Sequence, residues 1–191
     1  MGRLEFAQME RPSVRITSLV AFAIVLATVV LYIVLINAQS SGQPDPTPYI
    51  PRFVASFLAV MAALVALALL PRPEVVPIRV PMRAAAAAGL LGLGLLAAMS
   101  IGLPLVVAGI LVGIALGRTS QGTRSRLRRL AGLGAAVAAL AVLFIGLNVA
   151  QRTIVCPASG PMSGGGTGLF GDTYHYDCNN GELHMTFWQG T

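Results

Sequence analysis

The chain has 191 residues, 55% of them hydrophobic and 10% charged, against roughly 25% charged in an ordinary soluble domain. Apolar runs of about 20 residues recur along it, which is the composition of a multi-spanning helical membrane protein. The net charge of +6 does not indicate nucleic acid as a partner, because the arginines lie at the ends of apolar runs, where membrane orientation accounts for them.

All 13 of the Lys and Arg positions are arginine, and with abundant glycine, alanine and valine this points to a GC-rich bacterial genome. Residues 1–15 are polar and carry Arg3, Arg11 and Arg15; they are expected to form a cytoplasmic N-terminal tail. The first span is expected over about 16–37, where Ile16 opens a mostly aliphatic run long enough to cross the bilayer at a rise of about 1.5 Å per residue. A basic segment before an apolar run also fits a secretory signal, with Ile36-Asn37-Ala38 a passable cleavage site. The run exceeds the roughly 7–15 residues of a signal core, so an uncleaved anchor is favoured.

The loop 37–52 contains Pro44, Pro46, Pro48 and Pro51; these exclude helix and predict a stiff polyproline-like connection. Tyr49 and Phe53 lie where an interfacial aromatic belt belongs. The second span is expected over 53–70. A connector over 71–83 follows, with Pro71, Pro73, Pro77 and Pro81 interleaved with Arg72, Arg79 and Arg83.

From Ala84 to Gly117 no side chain is charged. One helix of that length would reach about 50 Å against a hydrocarbon core of about 30 Å. Ser100-Ile101-Gly102-Leu103-Pro104 at its middle is turn chemistry, and splitting there predicts a tight hairpin of two spans, 84–100 and 103–117. Arginine placement gives an independent argument. With five spans the N-tail, the 71–83 connector and the 118–129 loop share one side and hold eleven arginines, leaving only Arg52 and Arg152 opposite. Four spans would divide them seven to six. The positive-inside rule therefore selects five spans in the cell membrane, the last over 130–150, with the N-terminus cytoplasmic and the C-terminus outside. Cys156 and Cys178 then fall in an extracytoplasmic tail, 153–191, where a disulfide persists.

Ala84, Ala88 and Gly92 recur every four residues on the third span, as do Gly109, Gly113 and Gly117 on the fourth. Small faces allow close helix approach in lipid. They admit two readings, a homo-oligomer contact or mutual packing inside the hairpin, and the tight turn favours the second. A short span, a Gly-Leu-Pro turn, a glycine-spaced span ending GIALGR, a basic loop and a further Gly/Ala-rich span together resemble small glycine-rich bacterial multipass membrane proteins of unknown function, over about residues 84–150. The resemblance implies no activity, cofactor or site residue.

No Asp, Glu, Lys, Arg or His lies within an expected span, and proton relays, coupled transporters and charged pores place such groups at depth. A transporter or pore-forming subunit is therefore the second reading of function, and an enzyme is not expected. The basic loop RTSQGTRSRLRR is read as an orientation signal, with attraction to anionic headgroups as the alternative.

In the tail, Gly160 to Gly171 is expected to be an irregular loop. Beyond it, Asn180-Gly181 between TYHYDC and ELHMTFW predicts a β-hairpin with a type I′ turn. That register pairs Cys178 with Leu183, Tyr176 with Met185 and Tyr174 with Phe187 on an apolar face. Thr173, His175, Asp177, Glu182, His184 and Thr186 share the other. A Cys156–Cys178 bridge is expected to staple the hairpin to the end of the fifth span, and its spacing is not that of a redox pair. His175, Asp177 and His184 offer a possible zinc or copper ligand set; a solvated strand face with Asp177 and His184 paired across the strands is the favoured alternative. Otherwise no cofactor is expected. The leading functional expectation is an interaction, scaffold or accessory subunit in the lipid bilayer. Its tail would contact another membrane or extracytoplasmic protein through Tyr174, Tyr176, Met185, Phe187 and Trp188.

Overall fold

The computed structural model describes residues 12–39, 47–70, 75–76, 78–98, 101–120, 126–168, 171 and 173–188. They form five helices, α1 (Pro12–Gln39), α2 (Tyr49–Leu69), α3 (Arg79–Leu96), α4 (Gly102–Ser120) and α5 (Arg126–Arg152), then three strands, β1 (Pro161–Thr167), β2 (Thr173–Asn179) and β3 (Glu182–Trp188). Four of these helices are long and apolar enough to cross a membrane, and the fourth in order, over Gly102–Arg118, is a shorter apolar helix.

Proline opens four of the five helices. Pro51, Pro81 and Pro104 are each the third residue of their helix, and α1 begins at Pro12. Amides in a first turn have no intrahelical acceptor, so a proline there removes no bond, and its fixed φ suits the helix. Pro51 and Pro81, expected in connections, thus lie inside α2 and α3, which start earlier than the apolar runs do. The start of α3 brings Arg79 and Arg83 into a helix, and both are buried.

The described residues divide into two compact units. The first takes α1 up to Ile33, α2 from Ser56, α3, α4 and α5 up to Leu143; the second takes the remainder of α1, α2 and α5 with the sheet.

In the first unit the 84–117 stretch is broken where the turn chemistry lies. The amide of Ala97 donates to the carbonyl of Leu93 at 2.9 Å and that of Gly102 to Ala97 at 2.9 Å. A methyl group at Gly102 would overlap the carbonyls of Gly94 and Ala97, and one at Gly94 would lie 2.9 Å from the Val106 nitrogen. The two backbones meet at a point where neither has room for a side chain. Leu58, Val65, Leu90, Leu105 and Val112 fill the core around this hairpin.

The outward faces are as apolar as the inward ones. On α4, Leu105, Ala108, Val112 and Ala115 are buried while Leu103, Val107, Ile110 and Ile114 are exposed. On α1 a narrow stripe (Val14, Ser18, Ala21, Val25, Thr28) is buried, and Ile16, Leu19, Val20, Leu26 and Val30 are exposed. Thr28 and Thr17 donate to the carbonyls of Ile24 and Ser13, both at 2.8 Å, which satisfies their hydroxyls within the helix.

In the second unit the sheet is antiparallel, in the order β1-β2-β3. The β2–β3 register is Tyr174↔Phe187, Tyr176↔Met185 and Cys178↔Leu183, as the alternation requires. Asn180 and Gly181 have φ of 47° and 86°, the two positive values of a type I′ turn. The expectation of an irregular glycine loop is corrected: Pro161–Thr167 pairs along its whole length with β2, making three strands instead of two.

Candidate functional site

Three glycines in a row weaken a strand unless something needs the space. Here the tyrosines of β2 need it. A Cβ at Gly164 would stand 2.5 Å from the Tyr176 hydroxyl, and one at Gly166 would stand 2.7 Å from that of Tyr174. The rings of β2 thus lie across the glycines of β1, where no side chain obstructs them. Tyr176 and Cys178 are buried with Ile154, and Cys156, Met162, Tyr174 and Met185 pack around them.

The Cys156–Cys178 disulfide, with Cα atoms 5.5 Å apart, fixes the segment after α5 against this face. Closing a loop of that size contributes about 3 kcal/mol in the chain-entropy model, a large share for so few residues. At the end of α5 the Arg152 guanidinium stands over the Phe187 ring, 5.6 Å from its centroid. Thr173 Oγ1 donates to the Trp188 carbonyl at 3.1 Å and holds the end of β3.

These contacts separate the residues expected to meet a partner. Tyr176 belongs to the core of the sheet, and Tyr174 and Met185 are half-buried around it. Leu183 (40%), Phe187 (48%) and Trp188 (64%) are exposed. Trp188 lies opposite Thr173 and, by strand alternation, on the polar face. The exposed apolar residues of β3 therefore present themselves on both sides of one edge strand. Leu183 is the residue that sequence reasoning had paired with Cys178 without counting it as a contact residue.

On the polar face His175 Nε2 lies 3.6 Å from Asp177 Oδ2. His184 is the cross-strand neighbour of Asp177. The close pair is therefore along β2 and not across the strands. Among the described residues no group of three or more His, Cys, Asp or Glu is arranged to hold a metal ion.

The small residues of the helices have separate neighbours. Gly92 faces Leu140 and Leu143 of α5, at 2.7 and 3.1 Å from where its Cβ would be, and a Cβ at Gly132 of α5 would be 3.7 Å from that of Ala84. A Cβ at Gly109 would stand 2.8 Å from Leu91 of α3, whereas one at Gly113 or Gly117 would meet none of the described residues within 4 Å. Ala88 is half-buried. At Gly92 and Ala84 the α3 face thus meets α5, and mutual packing inside the hairpin is carried by Gly94, Gly102 and Gly109.

Comparison with protein-family models, with curated proteins and with solved structures found no match to this chain.

Proposed function

We propose that this protein is a five-span membrane protein whose C-terminal sheet, on the extracytoplasmic side, docks a partner protein as an accessory or scaffold subunit. The carrying observation is the exposure of Leu183, Phe187 and Trp188 on one edge strand of a sheet that has a core of its own. Large apolar side chains left exposed beside a packed core mark contact surfaces, and aromatics anchor such contacts.

The membrane placement draws on the outward faces of the helices, which expose leucine, isoleucine and valine along their length; water disfavours this arrangement and lipid accepts it. The fourth helix is the shortest apolar one, over Gly102–Arg118, at the lower limit of what crosses upright. The disulfide supports an oxidising compartment for the tail, and the arginine distribution supports a cytoplasmic N-terminus.

Photocrosslinking in native membranes tests the docking reading. A photoreactive residue at Phe187 or Trp188 is expected to give one discrete protein adduct that the same probe at Ser163, on β1, does not give. Adducts identical at all three positions, or lipid adducts alone, would sink it. The orientation is tested apart from this by fusing a reporter after Thr191, which is expected to be active outside the cytosol.

A further inference from the structure

β3 forms one edge of the sheet, and every residue of it except Met185 is exposed. The turn at Asn180-Gly181 fixes which of its backbone groups face outward. A two-residue turn is flanked by a hydrogen-bonded pair, here Asn179↔Glu182, and bonded and non-bonded pairs alternate from there. Glu182, His184, Thr186 and Trp188 therefore bond back to β2. The N–H and C=O groups of Leu183, Met185 and Phe187 point away from the sheet.

Such an edge is a template for another strand, and proteins blunt it with lysine, proline or a bulge. β3 reads ELHMTFW, with no lysine and no proline, and it pairs residue for residue with β2 along its whole length. The opposite edge differs. β1 opens on Pro161 and runs through Gly164, Gly165 and Gly166, which leaves few side chains for cross-strand pairs.

The alternation of β3 is symmetric about Met185. Laid antiparallel against itself there, the strand sets Met185 opposite Met185 of a second copy and Leu183 opposite Phe187. These are the outward-facing residues, so each pair can exchange both backbone hydrogen bonds. On the other face Glu182 meets Trp188 and His184 meets Thr186, so no like charges stand opposite one another. Neighbouring registers that keep the faces matched do worse. One centred on His184 sets that residue against itself and Phe187 against Gly181; one centred on Thr186 carries Leu183 past Trp188, the end of the strand. Self-complementarity of this kind is what a twofold contact requires.

We propose that β3 pairs antiparallel with β3 of a second copy of this chain, in the register centred on Met185, joining two sheets into one. This rests on the docking reading given above and names its partner. Strand addition takes its affinity from the backbone and its register from the alternate side chains.

One strand from each copy makes a smaller contact than a standard stable interface, so the test keeps the full chain in its membrane. One copy carries a photoreactive residue and the other an N-terminal affinity tag, so that adducts retained on the tag join two copies. A probe at Leu183 is expected to attach to the peptide holding Phe187, and a probe at Met185 to the peptide holding Met185; a probe at Ser163 is expected to give neither. L183K and F187E should each lose the Leu183–Phe187 adduct, with the probe then at Met185 as the reporter. The double variant L183K/F187E should regain the Met185 adduct, because lysine then faces glutamate across the twofold. Non-reducing electrophoresis reports in each variant whether the Cys156–Cys178 bridge, and with it the tail, is intact.

Attachment of the Leu183 probe elsewhere in the second copy would overturn the proposal, as would a Met185 adduct unchanged in both single variants. The probe pattern on the otherwise unaltered chain does not depend on any charged variant folding. An adduct at Phe187 or Trp188 with a different protein, and none with a second copy, would overturn this inference and leave the docking reading standing. No protein adduct from any β3 position would defeat both.

Discussion

The helical hairpin and the C-terminal sheet both use glycine to admit a bulky neighbour, yet they depend on it differently. In the hairpin, Gly94 and Gly102 bring two backbones together, and Gly109 receives Leu91. Every amide beyond the first turns is already bonded within its own helix, so packing only has to bring surfaces close. In the sheet, Gly164 and Gly166 admit the Tyr176 and Tyr174 rings, and the backbone bonds themselves run between strands. A sheet this small buries too little to hold those strands unaided. It needs the disulfide. The contrast is between helices that persist singly and strands that persist only as an assembled, stapled set.

Removing the staple probes this contrast most strongly. C156S or C178S is expected to cost about 3 kcal/mol and to make the tail protease-sensitive while helix content by circular dichroism stays unchanged. A tail that remained protected would break the comparison. Next come the two close approaches. G102V and G164V are each expected to cost about 2 kcal/mol through overpacking. The first should lower the melting temperature of the helical part, and the second should free only the tail, read by hydrogen exchange on β1. If G164V left β1 protected, the tyrosine seats would not be what the glycines provide.

G181V forces a β-branched residue to a φ of 86°, at a cost of about 1 kcal/mol. It should shorten the lifetime of the β2–β3 pairing in hydrogen exchange without changing the helices. The smallest effect is expected at Gly113, where an added Cβ would meet none of the described residues within 4 Å: G113L should shift stability by less than about 0.5 kcal/mol. G109L should cost more, because Leu91 occupies that space. Equal effects at the two positions in the isolated chain would mean that Gly113 meets something, a second copy among the candidates, and crosslinking of G113C would report it.

Sequence reasoning reached the hairpin break, the β2–β3 register and the disulfide because each has a local or pairwise cause. An uncharged run too long for one crossing must break, and Gly-Leu-Pro marks the place. Asn-Gly needs two positive φ values, and alternation then assigns every side chain to a face. Helix starts were misjudged at Pro51 and Pro81 because proline was taken as a terminator, although in the first turn it costs nothing. The strand Pro161–Thr167 escaped notice because three glycines carry no alternation signal. Its reason for existing lies in the rings of a strand some ten residues away in the chain.

By itself the sequence determined which stretches are apolar enough to leave water, where the long one must fold back, and how the last two strands pair. Those properties follow from hydrophobicity, chain length and backbone dihedrals, which act over a few residues at a time. Tertiary structure alone decided that Arg79 and Arg83 are buried, that Gly92 faces α5, that Tyr176 is core while Phe187 and Trp188 are not, and that the glycine run is a strand. Each of those depends on which distant surface arrives beside a residue, and a single chain position carries no record of its neighbour.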